Sequence, residues 1–284
     1  MKNADQDFSV EDMEYLRHGE QALLLSLYRP NAGGPFPLII DLHGGAWNTG
    51  DRTGCATRAG VLAKAGFAVA ALDFRQGTDR YPSSSQDVHF AIRWLKSHAA
   101  RLRLDPGRVG LSGQSSGGHL AALAAMRPND TRYATQPLED SISVDAQVRC
   151  VAMEWPVINP YSRYHHAFKS LEQPETASWV KRIPEFHDTY WVDEETMIEG
   201  NPMLILERGE QIKTPPALWL QGTPDIVHDY RDPTTEQSLN EPERFEQNYR
   251  AAGGRHEIIR VPYEDREGAA SFELLVPFFK KHLN

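Results

Sequence analysis

Gly113-Gln114-Ser115-Ser116-Gly117 decides the reading of this chain. Val109-Gly110-Leu111-Ser112 before it reads as a short buried strand, and Gly118–Ala125 after it reads as a helix. A strand turning sharply into a helix forces the residue at the turn into a strained conformation and lifts its side chain clear of the backbone. The small neighbours let strand and helix pass close together. Ser115 is therefore a candidate nucleophile that needs a base. A glycine-rich turn of this kind can also be plain tight packing or a phosphate cradle. A second motif upstream argues against both.

That motif is His43-Gly44-Gly45-Ala46-Trp47, directly after the apolar strand Pro37–Leu42. Acyl transfer puts negative charge on a carbonyl oxygen, and preorganised backbone N–H groups stabilise it. Adjacent glycines let the main chain present such groups at close range. The N–H of Ser116, the residue after the nucleophile, is another donor of the same kind.

The elements around these motifs alternate, which favours an α/β sheet. Strands are expected at Leu23–Tyr28, Pro37–Leu42, Phe67–Asp73, Val148–Glu154, Pro216–Gly222 and Glu257–Val261. Helices are expected at Thr57–Ala65, Ser84–Arg101, Pro242–Ala252 and Ser271–His282. Residues 155–215 exceed one crossover helix and are rich in aromatics, among them Trp155, Tyr161, Tyr164, Phe168, Trp179, Phe186, Tyr190 and Trp191. Such a stretch is too apolar for disorder and reads as a helical cap over the sheet, or else as an extra packing layer.

The chain of 284 residues has 40% hydrophobic residues and a net charge of −9. That is enough apolar material for a large core, and a single domain spanning 1–284 is expected. The negative charge argues against nucleic acid and anionic membranes as partners. No apolar run approaches a membrane span, and the polar residues Met1–Asp7 do not resemble a secretory signal. Cys55 and Cys150 fit no zinc spacing and read as buried thiols. No metal and no organic cofactor are expected, and the compartment is taken as cytoplasmic.

With both motifs in place, the chain resembles the α/β-hydrolase family, and within it the esterases with an HGG-type oxyanion loop. These include the hormone-sensitive-lipase-like carboxylesterases and the kynurenine formamidases. The resemblance runs from the Leu23 strand to the last helix. It implies a mostly parallel sheet flanked by helices and a Ser115 nucleophile. It implies oxyanion donors at the N–H groups of Gly45, Ala46 and Ser116, with His43 holding the loop by hydrogen bonds. Trp47 and Trp155 are expected to touch a small acyl substrate. Gln221-Gly222-Thr223-Pro224-Asp225-Ile226-Val227 looks like the family's G-x-x-D-x-x-V stretch and makes Asp225 the acid. Asp229 and Asp232 fall off that pattern and read as loop surface. The exposed last strand of this fold leaves a homodimer open.

The family's base follows the last strand in a G-x-x-H-x-F-like stretch. This chain reads Glu267-Gly268-Ala269-Ala270-Ser271-Phe272, with Ala270 where histidine belongs. Without an imidazole, Ser115 keeps its proton near neutral pH and the leaving group has no acid. Of the eleven histidines, His119 is expected to pack in the elbow helix, and His165, His166 and His187 fall in the cap. His256 opens the last strand and His282 ends the last helix. His228, near Asp225 on the same loop, is the best substitute. The expectation nonetheless favours an engineered His→Ala variant of a working esterase, nearly inactive as it stands. A different base and a catalytically dead ligand-binding module remain alternatives, and Trp47 suggests an arylformamidase as another enzyme reading.

Overall fold

The computed structural model describes residues 7–138, 144–173 and 180–284. Trp179, one of the aromatics read into the cap, lies outside them. Eight strands form one sheet: β1 (Phe8–His18), β2 (Gln21–Pro30), β3 (Phe36–Leu42), β4 (Ala68–Leu72), β5 (Leu104–Gln114), β6 (Cys150–Glu154), β7 (Ala217–Thr223) and β8 (His256–Pro262). Their spatial order is β1-β2-β4-β3-β5-β6-β7-β8. β2 is antiparallel to both β1 and β4, and every later pairing is parallel. Parallel strands need crossovers, and the helices that provide them cover both faces. Accordingly β3, β4 and β6 are buried along their whole length.

The helices are α1 (Ala56–Lys64), α2 (Ser83–Ser97), α3 (Ala99–Leu102), α4 (Ser116–Met126), α5 (Pro160–Leu171), α6 (Arg182–Tyr190), α7 (Glu194–Glu199), α8 (Pro202–Glu207), α9 (Glu241–Ala251), α10 (Ala269–Glu273) and α11 (Leu275–Leu283). Alternate residues of β3 point to opposite layers, as the period of two requires. Leu38, Ile40 and Leu42 pack with Val88 and Leu95 of α2 and Leu120 of α4. Ile39 packs with Ala59 and Leu62 of α1 and Phe279 of α11. The helix expected at Ser84–Arg101 is divided into α2 and α3 at His98, whose Nδ1 meets the Trp94 carbonyl at 2.9 Å. The strand β1 had no sequence expectation. Only Phe8 and Tyr15 of its eleven residues are buried, so it carries no apolar alternation. It is held by its register with β2 and by the Tyr15 hydroxyl donating to the Asp73 carbonyl at 2.6 Å.

At the C-terminal ends of β3, β5 and β6 the core turns ionic. Arg58 of α1 is 1% exposed and contacts Asp41 of β3 at 2.6 Å and Glu154 of β6 at 3.1 Å. It also donates to the Leu42 carbonyl at 3.2 Å and to Gln114 Oε1 of β5 at 3.3 Å. Ser112 of β5 donates to Glu154 Oε1 at 3.0 Å. Burial raises the Glu154 carboxyl, and the Arg58 guanidinium opposes that rise. One cation thus joins three neighbouring strands immediately before the elbow. Removing it would leave two carboxylates buried without their counterion, which costs about 3–5 kcal/mol in typical buried pairs. Urea unfolding of Arg58→Met is expected to show a loss of that order. An unchanged midpoint would mean that the network does not hold the strand ends.

Candidate active site

Ser115 follows β5 directly and has φ 52° and ψ −116°, a conformation that side-chain-bearing residues rarely adopt. Neighbouring backbone pins it there. Its N–H donates to the Glu154 carbonyl at 2.9 Å, and its carbonyl accepts from Val157 N at 3.0 Å and His119 N at 3.1 Å. The turn is possible because a side chain is missing where α4 crosses β3. A β-carbon on Gly117 would collide with the carbonyls of Leu42 and His43. The expected elbow is therefore present, and its serine is lifted into a cleft.

Ser115 does not lack an imidazole. Its Oγ lies 3.2 Å from His228 Nε2, and His228 Nδ1 lies 2.9 Å from Asp225 Oδ2. Asp225 and His228 share a single turn after β7, closed by Asp229 N donating to the Asp225 carbonyl at 2.9 Å. Residues three apart on such a turn face the same side. The Nδ1–H donates to the carboxylate, which leaves Nε2 free to accept from the serine hydroxyl.

This corrects the expectation for Ala270. That residue is exposed in α10, and the cleft around Ser115 is lined there by Arg266 and Glu267. Arg266 fills the space beside β7: its guanidinium lies over the Trp155 ring at 5.3 Å, and its side chain packs against Gly222. The D-x-x-H spacing of Asp225 and His228 was the available sequence signal for an imidazole beside Ser115.

Asp225 accepts four hydrogen bonds, from Val227 N (3.0 Å), His228 N (3.2 Å), His228 Nδ1 (2.9 Å) and Gln221 Nε2 (3.3 Å). Burial would raise its pKa, but the imidazole and these donors outweigh burial and bring it down to about 2. His228, with its side chain 11% exposed, is shifted below its ordinary value. Burial is the main cause, Asp225 opposes it, and Arg163 and Arg266 add to it. The imidazole is therefore neutral near pH 7, as a proton acceptor must be.

The loop after β3 is shaped as its glycines suggest. Gly45, Ala46 and Trp47 have φ of 120°, 51° and 61°. The Gly45 carbonyl accepts from Asn48 N at 3.0 Å and Thr49 N at 3.1 Å. Asn48 Nδ2 bonds the carbonyls of Ala46 at 2.7 Å and of Phe186 on α6 at 2.8 Å. Among the described residues no acceptor within the chain takes the N–H of Gly45 or Ala46. The Ser116 N–H is one of the unpaired donors of a helix start. Gly44 brings the loop against the nucleophile, since a β-carbon there would sit 3.3 Å from Ser115 Cβ. His43 donates from Nδ1 to the Gly44 carbonyl at 2.7 Å and stacks on Phe74, so it braces the loop.

Two other expectations divide. Trp155 lines the cleft of about 350 Å³ together with Ser115, His228, Gly44 and Gly45. Trp47 does not. It is 1% exposed, stacks on Tyr190, and donates from Nε1 to His119 Nδ1 at 3.2 Å. Its left-handed backbone turns the ring away from the cleft into the core. His119 in turn meets the Gly200 carbonyl at 2.7 Å and serves packing, as expected. Asp232, read as loop surface, is 4% exposed and paired with Arg244 at 2.6 Å. Cys55 and Cys150 are buried free thiols.

Comparison with known proteins agrees with this architecture. Solved structures of similar fold include an esterase of Pyrobaculum calidifontis (TM-score 0.73, 20% identity, 96% of this chain and 85% of that one). Another is EstE1, a carboxylesterase cloned from a metagenomic library (TM-score 0.74, 19% identity, 97% and 90%). The fold is that of the α/β-hydrolases. Among curated relatives, Esterase LipC of Mycobacterium tuberculosis is 31% identical over 199 residues, 68% of this chain and 45% of the relative. LipM of the same organism, named as a probable carboxylic ester hydrolase, is 34% identical over 126 residues, 43% of this chain and 29% of the relative. The matches thus span less than half the length of these curated relatives. The BD-FAE family model matches residues 25–231, which include the oxyanion loop, the elbow, Asp225 and His228. The chain belongs to the BD-FAE family.

Proposed function

We propose that this protein is a serine hydrolase that cleaves small carboxylic esters through an acyl-Ser115 intermediate. The observation that carries the reading is the unbroken hydrogen-bonded series Ser115 Oγ–His228 Nε2–Asp225. As Ser115 Oγ bonds to the ester carbonyl carbon, His228 Nε2 takes the hydroxyl proton. The carbonyl oxygen becomes an oxyanion, held by the N–H groups of Gly45, Ala46 and Ser116. Collapse breaks the bond to the alcohol, and His228 returns its proton to the departing oxygen. A water then repeats the steps on the acyl-serine and releases the acid. Asp225 stabilises the imidazolium and keeps Nδ1 protonated throughout.

On this reading the chain carries its own base, so Ala270 marks no lesion. The ligand-binding alternative loses its support, because that support was the missing base. The arylformamidase alternative rested on Trp47, whose ring lies in the core away from the cleft. Among the described residues, no helix is long and apolar enough to cross a membrane. A cytoplasmic location rests on the two free thiols, and a homodimer on the open outer edge of β8. Cell fractionation and sedimentation velocity test these two.

Hydrolysis of p-nitrophenyl acetate tests the site. His228→Ala and Ser115→Ala are each expected to lower kcat by about 10³-fold or more, and Asp225→Asn to lower it strongly as well. Ala270→His is expected to leave kcat/KM unchanged. A large gain in Ala270→His, with His228→Ala as active as the parent, would return the base to position 270.

The pH profile follows from the electrostatics. Neutral His228 is the reactive form, so kcat/KM rises as pH passes upward through its pKa. Burial places that pKa below the ordinary 6.5. The acid limb is expected to have its midpoint below pH 6.5, with a plateau across neutrality. A midpoint above 7 would contradict the assignment.

A further inference from the structure

The loop after β8 sets a charged side chain over the tryptophan of the cleft. Arg266 lines the same cleft as Ser115 and His228, with Glu267 beside it. Its guanidinium lies over the Trp155 ring at 5.3 Å and over the Tyr263 ring at 3.6 Å. Under this cover Trp155 is only 2% exposed, although it too lines the cleft.

The backbone makes room for the arrangement. Gly222, near the end of β7, has no side chain, and a β-carbon there would come within 2.8 Å of Arg266 Cδ and 3.4 Å of its Cβ. Nη1 donates to the Tyr263 carbonyl at 2.7 Å, and Nη2 pairs with Glu267 at 3.2 Å. Nε is closed to solvent. The outer nitrogens are thus held by their own loop, and the side chain is fixed as a wall rather than offered to an anion.

A wall at this place takes space from the cleft. The cleft is about 350 Å³, near the lower end for small-molecule sites, which run from about 300 to 1,000 Å³. The Arg266 stem covers two aromatic rings and a glycine, as long cationic side chains cover apolar surface elsewhere. Without that stem, the same surfaces form a slot suited to an apolar chain.

We propose that Arg266 is a specificity-determining residue that fills an aromatic slot beside Trp155 and so confines the substrate to short chains. The inference rests on the serine-hydrolase reading above. It assigns the size limit to one side chain outside the Ser115–His228–Asp225 series. The slot can serve either half of the ester.

The experiment measures kcat/KM along two series, corrected for uncatalysed hydrolysis. p-Nitrophenyl acetate, butyrate and hexanoate lengthen the acyl half. Ethyl, butyl and hexyl acetate, followed by acid release, lengthen the alcohol half. In at least one series the parent is expected to disfavour the six-carbon member by about tenfold or more. Arg266→Ala is expected to raise the ratio of six-carbon to two-carbon ester in that series by about tenfold, roughly what burial of two methylene groups supplies. Arg266→Met keeps the length of the stem and loses the charge, and its ratio is expected to stay close to the parent's. The Arg266 charge also lowers the His228 pKa, so both variants should move the acid limb of the pH profile upward while only Arg266→Ala moves the ratio. Glu267→Ala, at a position 58% exposed, frees the wall without removing it and is expected to move the ratio part of the way. An Arg266→Ala ratio equal to the parent's in both series would overturn the proposal and leave the hydrolase reading intact. So would a rise in Arg266→Met as large as in Arg266→Ala, or a parent that takes all six esters alike. Should Arg266→Ala not fold, an unchanged ratio in Glu267→Ala overturns the proposal. Failure of the parent to turn over any of the six esters would instead overturn the hydrolase reading, and this proposal with it.

Discussion

Arg58 is the constraint on which the catalytic edge depends. It enters from α1 and binds the C-terminal ends of β3 and β6 through Asp41 and Glu154, with Gln114 of β5 between them. Those three ends carry the glycine loop after β3, Ser115 and Trp155. Glu154 also supplies, through its carbonyl, the acceptor that holds the Ser115 N–H in its strained turn. The strain at Ser115 is tolerated because the ionic contacts below it and the close crossing at Gly117 leave the backbone no easier course.

On that rigid edge, Asp225 and His228 come from one turn. Separating them between the loops after β7 and β8 would make their geometry depend on two crossovers. Here the Asp225–His228 spacing is set within four residues and braced from above by His166 on α5. The loop after β8 is thereby freed from carrying an imidazole, and Arg266 covers Trp155 instead. The helical segment between β6 and β7 is thus tied mechanically to the turn that carries His228.

The parts that could be read before the structure are those determined by short-range chemistry. The elbow needs small residues at Gly113 and Gly117, the oxyanion loop needs glycine after β3, and buried parallel strands read as continuous apolar runs. The local pattern also singled out Asp225, which the structure places against His228. The imidazole beside Ser115 was passed over because position 270 was judged by where other chains keep their histidine, although Asp225 and His228 stand three residues apart. Trp47 was misplaced because the direction of a ring depends on a left-handed backbone that composition does not reveal. β1 was unseen because an exposed edge strand lacks alternation.

Covalent labelling tests the central claim, that His228 activates Ser115 in this chain as it stands. A fluorophosphonate added in slight excess, followed by intact mass and peptide mapping, should label one residue per chain. That residue should be Ser115, and the rate should fall sharply in His228→Ala while remaining unaltered in Ala270→His. Labelling at the same rate in His228→Ala, or labelling at another residue, would contradict the account.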